Sequence, residues 1–293
     1  MARVCVTGSS GYLGSRICSG LSRLGHSIIC VDMVPPEKVY GNYRKADFRD
    51  ESNTINVIKD VDIVIHCGSI HPWKKYTDEE YLDMNVKGTW NVFKAASENG
   101  IGRIILTSSI AASGYSPAPE LLPVDESYQS PSLSDMYSLT KFFQEQTARH
   151  FCNYRGMRTI ALRPPNFTPK PPVHNEAALL SGCAVVEDIA SAHLKAVDAW
   201  ESLENSFEPF FITPSFPYLP DEVSQLSKDP KSVIEKYYPQ AWSWFERQGI
   251  RLNPVPMYYD NSKVKRMLGW EAEYTFAQWW NTKGKEQLQC LSK

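Results

Sequence analysis

The chain has 293 residues, enough for one large α/β domain or for a domain with a smaller appendage. Its composition is ordinary for a globular protein, and a formal net charge of −2 offers no electrostatic case for nucleic acid or an anionic membrane. Seven cysteines, scattered and never in a C-x-x-C pair, suggest neither a disulfide framework nor a zinc site. The six histidines have no metal-ligand spacing, so no metal is expected. With no signal-peptide pattern at the start and no apolar run of membrane-spanning length, a reduced, cytoplasmic location and a small-molecule partner are the expectation.

Up to about Ile160, short apolar runs alternate with amphipathic stretches. "ARVCVTG" reads as a buried strand, "LGSRICSGLSRLG" as a helix closed by Gly25, and "SIICVDM" as a second strand. A helix around "TINVIKDV", a strand "DIVIHCG", one long helix "DEEYLDMNVKGTWNVFKAASENG" and a strand "RIILTSS" follow. After a proline-rich loop from Ser116 to Pro131 come a helix "SLTKFFQEQTARHFCNYRG" and a strand "RTIALRPP". Such alternation predicts an α/β fold, a Rossmann-like doubly wound parallel sheet, and near-continuous apolar strands fit a sheet covered on both faces.

The second half is less regular. A proline-rich loop "PPNFTPKPPVHNE" precedes a helix "VVEDIASAHLKAVDAW", and a strand "PFFITPSFPYLP" runs into loop. The expected division is a dinucleotide-binding domain over 1–165 and a smaller substrate-binding lobe over 166–293. The helix at 185–200 and the strand at 209–213 would return to the first domain.

The stretch "VCVTGSSGYLGSRI" places Gly8, Gly11 and Gly14 between the first strand and the first helix. Such a turn brings bare backbone N–H groups and a helix N-terminus up to a phosphate. The second strand ends in Asp32, whose carboxylate accepts from ribose hydroxyls and repels a 2′-phosphate. Together they favour NAD over NADP.

"YSLTK" sets Tyr137 and Lys141 four residues apart on a predicted helix, hence on one face. A tyrosine near its ordinary pKa of about 10 is a poor base at neutral pH. An ammonium one turn away, with the positive nicotinamide ring, favours the phenolate, so Tyr137 becomes a candidate base for a substrate hydroxyl. A partner hydroxyl is expected at the carboxyl end of "ILTSS", where Ser108, Ser109 and Ser113 compete.

These motifs occur together in a known family. "TGSSGYLG" resembles the T-G-x-x-G-x-x-G signature of extended short-chain dehydrogenases/reductases, the NAD-dependent epimerase/dehydratase family. "KADFRD" resembles the segment whose acid, here Asp47, approaches the adenine amino group, with Phe48 flanking the base. "HCGSI" resembles the H-x-A-A stretch, with Cys67 and Gly68 where alanines are usual, and "NVKGTWNVFKAA" puts Asn85 at a structural asparagine. "DNSKVKRMLGW" resembles the closing segment, so the likeness spans essentially the whole chain, thinning between about Pro209 and Tyr258.

The resemblance implies an NAD site that includes Gly8, Gly11, Tyr12, Leu13, Gly14 and Asp32, with Lys141 also holding the nicotinamide ribose. It selects Ser109 as the hydroxyl that orients the substrate oxygen and puts Ser108 nearer the cofactor. "LRPPN" would pass Pro164 by the nicotinamide and reach the substrate with Asn166. It also implies a homodimer through helices around 84–99 and 139–154.

Departures from the pattern narrow the chemistry. Family dehydratases carry acids just after the catalytic hydroxyl, whereas Ile110, Ala111 and Ala112 follow Ser109, which argues against dehydration. Only Phe167 to Val186 separates Asn166 from the next landmark, with Asp188, leaving little room for a nucleotide-binding insert. The expected substrate is therefore a free sugar, a sugar acid or a similar polyhydroxylated compound. The C-terminal lobe, through Arg247, Arg251 or its aromatics, is the alternative source of nucleotide contacts. His71 and Trp73 follow the fourth strand and either face the substrate or pack the loop. An NAD-dependent oxidoreductase leads; an epimerase retaining its NAD and a non-catalytic NAD-binding regulator are the rivals.

Overall fold

A computed structural model describes residues 1–114, 123–130, 133–171, 173–226, 228–252 and 258–284. Half of the proline-rich loop expected from Ser116 to Pro131, and Cys290, lie outside the described residues. Seven parallel strands form one sheet in the order β3-β2-β1-β4-β5-β6-β7. They are β1 (Arg3–Thr7), β2 (Ser27–Asp32), β3 (Asn42–Lys45), β4 (Ile63–His66), β5 (Arg103–Thr107), β6 (Arg158–Arg163) and β7 (Phe207–Phe211). Order reverses beside β1, where β2 and β4 flank it, and ligands of open α/β sheets bind at the carboxyl edge of such a switch.

Successive side chains on a strand point to opposite faces. Val4 and Val6, Ile63 and Ile65, and Ile160 and Leu162 join one core, with α1 (Gly14–Arg23) and α7 (Val186–Ala196). Cys5, Val64, Ile104, Leu106 and Ala161 join the other, beneath α2 (Glu51–Val57), α4 (Gly88–Glu98) and α5 (Met136–Arg155). Burial on both faces is why these strands read as unbroken apolar runs.

Three elements differ from the sequence expectation. β3 reads "NYRK", has no apolar run, and lies at the sheet edge, where one-sided pairing leaves it partly exposed. β7 starts at Phe207 rather than 209 and ends at Phe211, its last residue in register with Arg163 of β6. It tolerates Pro209, which lacks a donor, because it too is an edge strand. The long helix is three pieces. α3 (Asp78–Tyr81) opens on a Thr77–Glu80 capping box, a π-helical segment covers Leu82–Lys87, and α4 continues.

The C-terminal elements include α6 (His174–Leu179), whose first three residues fall in the stretch read as loop, α8 (Pro220–Val223), α9 (Pro230–Tyr237), α10 (Ala241–Arg247), α11 (Ser262–Leu268) and α12 (Phe276–Trp279). Several of them share an aromatic core built on Trp244, Phe245, Phe276, Trp279 and Trp280. Among the described residues, no helix is long and apolar enough to cross a membrane.

Candidate active site

The glycine turn closes tightly on itself. Gly8 has φ +68°, a conformation side chains resist, and a Cβ there would sit 2.9 Å from the Cys67 carbonyl carbon. A Cβ on Gly14 would lie 2.1 Å from the Gly8 oxygen. The bare backbone therefore comes up to the strand ends. Leu13 precedes α1 without a side-chain cap, and among the described residues the N–H groups of Tyr12 and Leu13 find no acceptor. Open donors at a helix N-terminus fit a pyrophosphate. Asp32 accepts from Ser10 N (3.0 Å) and Val34 N (3.2 Å), which fixes its carboxylate beside the turn.

A cavity of about 350 Å³ gathers Gly8, Gly11, Tyr12, Leu13, Gly14, Asp32, Phe48, Cys67 and Gly68, together with His71 and Trp73. Gly68 stands against the Phe48 ring, where a Cβ would be 2.9 Å from Cε2. Losing the usual alanine there lets the ring close in. Asp47 is not among the cavity residues; Arg49 pairs with it at 2.6 and 2.9 Å and holds it below the usual carboxylate range. The cavity also takes in Ser69 and Ile70, from the "HCGSI" stretch, and Lys74, Tyr76, Met84, Thr107 and Phe167, none of them singled out as site residues from the sequence.

On α5, Asp135 caps the first turn by accepting from Ser138 N at 2.7 Å, which sets Tyr137 and Lys141 in register. Lys141 is fully buried. Its Nζ donates to the Thr107 carbonyl (2.9 Å) at the end of β5 and to Ser69 Oγ (3.2 Å), and lies 5.8 Å from the Tyr137 ring centroid. Burial pulls its pKa from 10.5 down to about 7, against the Glu145 charge that favours the ammonium. The Tyr137 hydroxyl lies 3.2 Å from His71 Nδ1.

The three competing serines separate by what their protons do. Ser108 donates to Glu145 (2.6 Å) and Ser113 to the Ile110 carbonyl (2.8 Å). Ser109 Oγ instead accepts from Ala111 N (3.1 Å), capping a 3₁₀ turn over Ile110–Ser113, and its own proton has no acceptor among the described residues. Glu145 also forms a buried pair with Arg163, at 2.7 and 2.8 Å.

Pro164 is buried and its carbonyl accepts from Ile110 N at 3.1 Å. Asn166 is exposed, with Oδ1 turned back to Thr168 N (2.8 Å), and Phe167 lines the cavity beside it. Asn85 braces the loop that carries His71. Its Oδ1 accepts from Ile70 N (2.8 Å), and its Nδ2 donates to the Ile70 carbonyl and to Thr140, each at 3.1 Å.

Residues 4–181 match the family described as the NAD dependent epimerase/dehydratase family. The chain belongs to that family. It is 31% identical over 172 residues to the 2-alkyl-3-oxoalkanoate reductase of Stenotrophomonas maltophilia, covering 55% of this chain and 50% of that protein. It is 25% identical over 318 residues to the UDP-glucose 4-epimerase of Rhizobium meliloti, across 94% of this chain and 93% of the other. With the uronate dehydrogenase of Pseudomonas syringae it shares 25% over 173 residues, 58% of this chain and 61% of that one. The chain thus spans about half the length of the first and three fifths of the third. A short-chain dehydrogenase/reductase superfamily protein from Agrobacterium tumefaciens, solved with bound NAD, superposes with a TM-score of 0.74 at 19% identity, covering 99% and 98% of the two chains. That likeness is one of fold.

Among epimerase/dehydratase family members the defining ligand is NAD, and the glycine cradle, the open N–H groups and Asp32 fit it here.

Proposed function

We propose that the chain interconverts a secondary alcohol and its carbonyl on a small hydroxylated substrate, such as a sugar acid, with NAD. One observation carries this reading. Tyr137 and buried Lys141 stand one turn apart beside a cavity that opens onto the glycine turn, with Lys141 Nζ tied to the end of β5. NAD, when bound, exchanges two electrons and a hydrogen with the substrate carbon. Tyr12, Leu13 and the glycines hold its pyrophosphate, and Asp32 holds its adenosine ribose. Tyr137 takes the proton of the substrate hydroxyl, and Ser109 donates to the same oxygen and orients it. Lys141 favours the phenolate when charged. No acid follows Ser109, so dehydration has no donor for the leaving water.

The names of two relatives, a uronate dehydrogenase and an oxoalkanoate reductase, favour a substrate with a carboxylate. Lys74, a cation of the cavity wall, suits that group. The test is absorbance at the NADH band with NAD and a panel of uronic acids, hydroxy acids, free sugars and polyols. A rise with one compound supports the dehydrogenase and names its substrate class.

A flat trace, with NAD found tightly bound, favours the second reading, a sugar epimerase that keeps its cofactor. The alignment with UDP-glucose 4-epimerase, over nine tenths of both chains, is what recommends it. The reading includes a homodimer through α4 and α5, where Trp90, Phe143 and Tyr154 are 41%, 37% and 76% exposed. Sedimentation equilibrium tests it. Unbridged thiols at all six described cysteines suit a reducing compartment such as the cytoplasm.

A further inference from the structure

His71 is placed as no substrate-binding role requires. Its ring stacks on Trp73, centroids 5.1 Å apart and 19° from parallel. Trp73 in turn meets Phe167 edge-on at 6.4 Å, so the loop after β6 backs the indole that clamps the imidazole from one side. The clamp aims Nδ1 at the Tyr137 hydroxyl, 3.2 Å away, and Asn85 fixes the backbone one residue before it. His71 also lines the cavity, and its Nε2 has no hydrogen-bond partner among the described residues. Enclosure and the nearby Lys141 charge lower its pKa and keep the ring neutral. A neutral imidazole with one nitrogen on the base and the other open is built to pass a proton, since it accepts at one atom while releasing at the other.

We propose that His71 relays the proton between Tyr137 and solvent, an inference that rests on Tyr137 being the base. In oxidation the substrate O–H bond breaks and the Tyr137 O–H forms. That proton then moves to His71 Nδ1 as the Nε2–H bond breaks to a cavity water, leaving neutral imidazole and regenerated phenolate. One proton leaves the substrate and one reaches water; reduction runs the same path backwards. Without the relay, Tyr137 must reload through slower routes, so turnover falls while NAD binding does not.

Two variants and two readouts test this. His71→Phe keeps a ring to stack on Trp73 and removes both nitrogens, and His71→Gly leaves a space for free imidazole. In the NAD-loaded protein labelled with ¹⁵N-histidine, Tyr137→Phe is expected to move the His71 Nδ1 resonance. The Tyr137 hydroxyl proton is expected to exchange with water about tenfold more slowly in His71→Phe. These need no substrate, so they decide the relay even if every compound of the panel is inert. With an active compound, His71→Phe should lose about tenfold or more in kcat at unchanged NAD affinity, and imidazole should restore His71→Gly in a concentration-dependent way. An unmoved Nδ1 resonance, or unchanged exchange, overturns the relay. So does a variant that turns over at the wild-type rate, or faster with bulky substrates, which would make His71 a plug. An inert panel with the expected spectra removes the substrate reading and leaves the relay standing.

Discussion

Lys141→Met should make the protein more stable at neutral pH and less active. Burial lowers the Lys141 pKa from 10.5 in the unfolded chain to about 7 in the fold. The unfolded chain therefore binds a proton that the folded one holds weakly. Stability is undiminished by this group above pH 10.5, falls as the pH drops toward 7, and levels off below. At about 1.4 kcal/mol per pKa unit, the lysine costs the fold about 5 kcal/mol at pH 7. Methionine has similar length and no charge, but it leaves the Thr107 carbonyl without its 2.9 Å donor, a loss of about 1–3 kcal/mol. The net gain is about 2–4 kcal/mol, or a rise in Tm of several degrees for a chain of this size. Thermal unfolding followed by circular dichroism at pH 7 and pH 9.5 checks it. The gain should shrink to about nothing at the higher pH, one unit below the unfolded pKa, where the wild-type lysine still costs only about 1.4 kcal/mol. A variant that melts lower at pH 7, or a gain independent of pH, would refute a strained, desolvated ammonium at this position.

Tyr137→Phe should lower kcat by about 10²–10⁴, with NAD binding, read by calorimetry, changed little. Arg163→Met strands the buried Glu145 carboxylate and should cost about 3–5 kcal/mol in denaturant titration, whereas the double change Glu145→Leu with Arg163→Met should recover much of it. Asp32→Ser removes the carboxylate that repels a 2′-phosphate, so the ratio of NAD to NADP affinity should fall; an unchanged ratio would remove Asp32 from the ribose site.

What could be read from the residues was set by periodicity and by spacing within one element. The buried strands, the glycine turn and the Tyr137–Lys141 pair depend on neighbours a few positions apart, and local pattern reveals them. β3 stayed hidden because an edge strand needs no apolar run, and the helix break at Leu82–Lys87 because a π segment keeps helical composition. The cavity wall depends on tertiary approach. Phe167 and Met84 arrive from different segments, and Ser108 turned out to serve a buried ion pair that no motif spacing marks. From the sequence His71 was a candidate either to face the substrate or to pack its loop; its aim at Tyr137, 66 positions away, was not legible.

The π segment at Leu82–Lys87 makes the helix sensitive to length as well as to sequence. It holds one residue more per turn than an α-helix would, and that surplus lets Asn85 face the Ile70 backbone while α4 keeps its own buried face. Deleting a single residue there would let the segment relax to α geometry with α4 still in register, because five residues of α-helix turn the chain about as far as six of π-helix. Val92, Phe93 and Ala96 would stay on the sheet and Trp90 at the surface, while Asn85 would lose its place opposite the Ile70 backbone. A point substitution leaves the count intact, so what a change of one in number puts at risk here is the loop that Asn85 braces rather than the seat of α4.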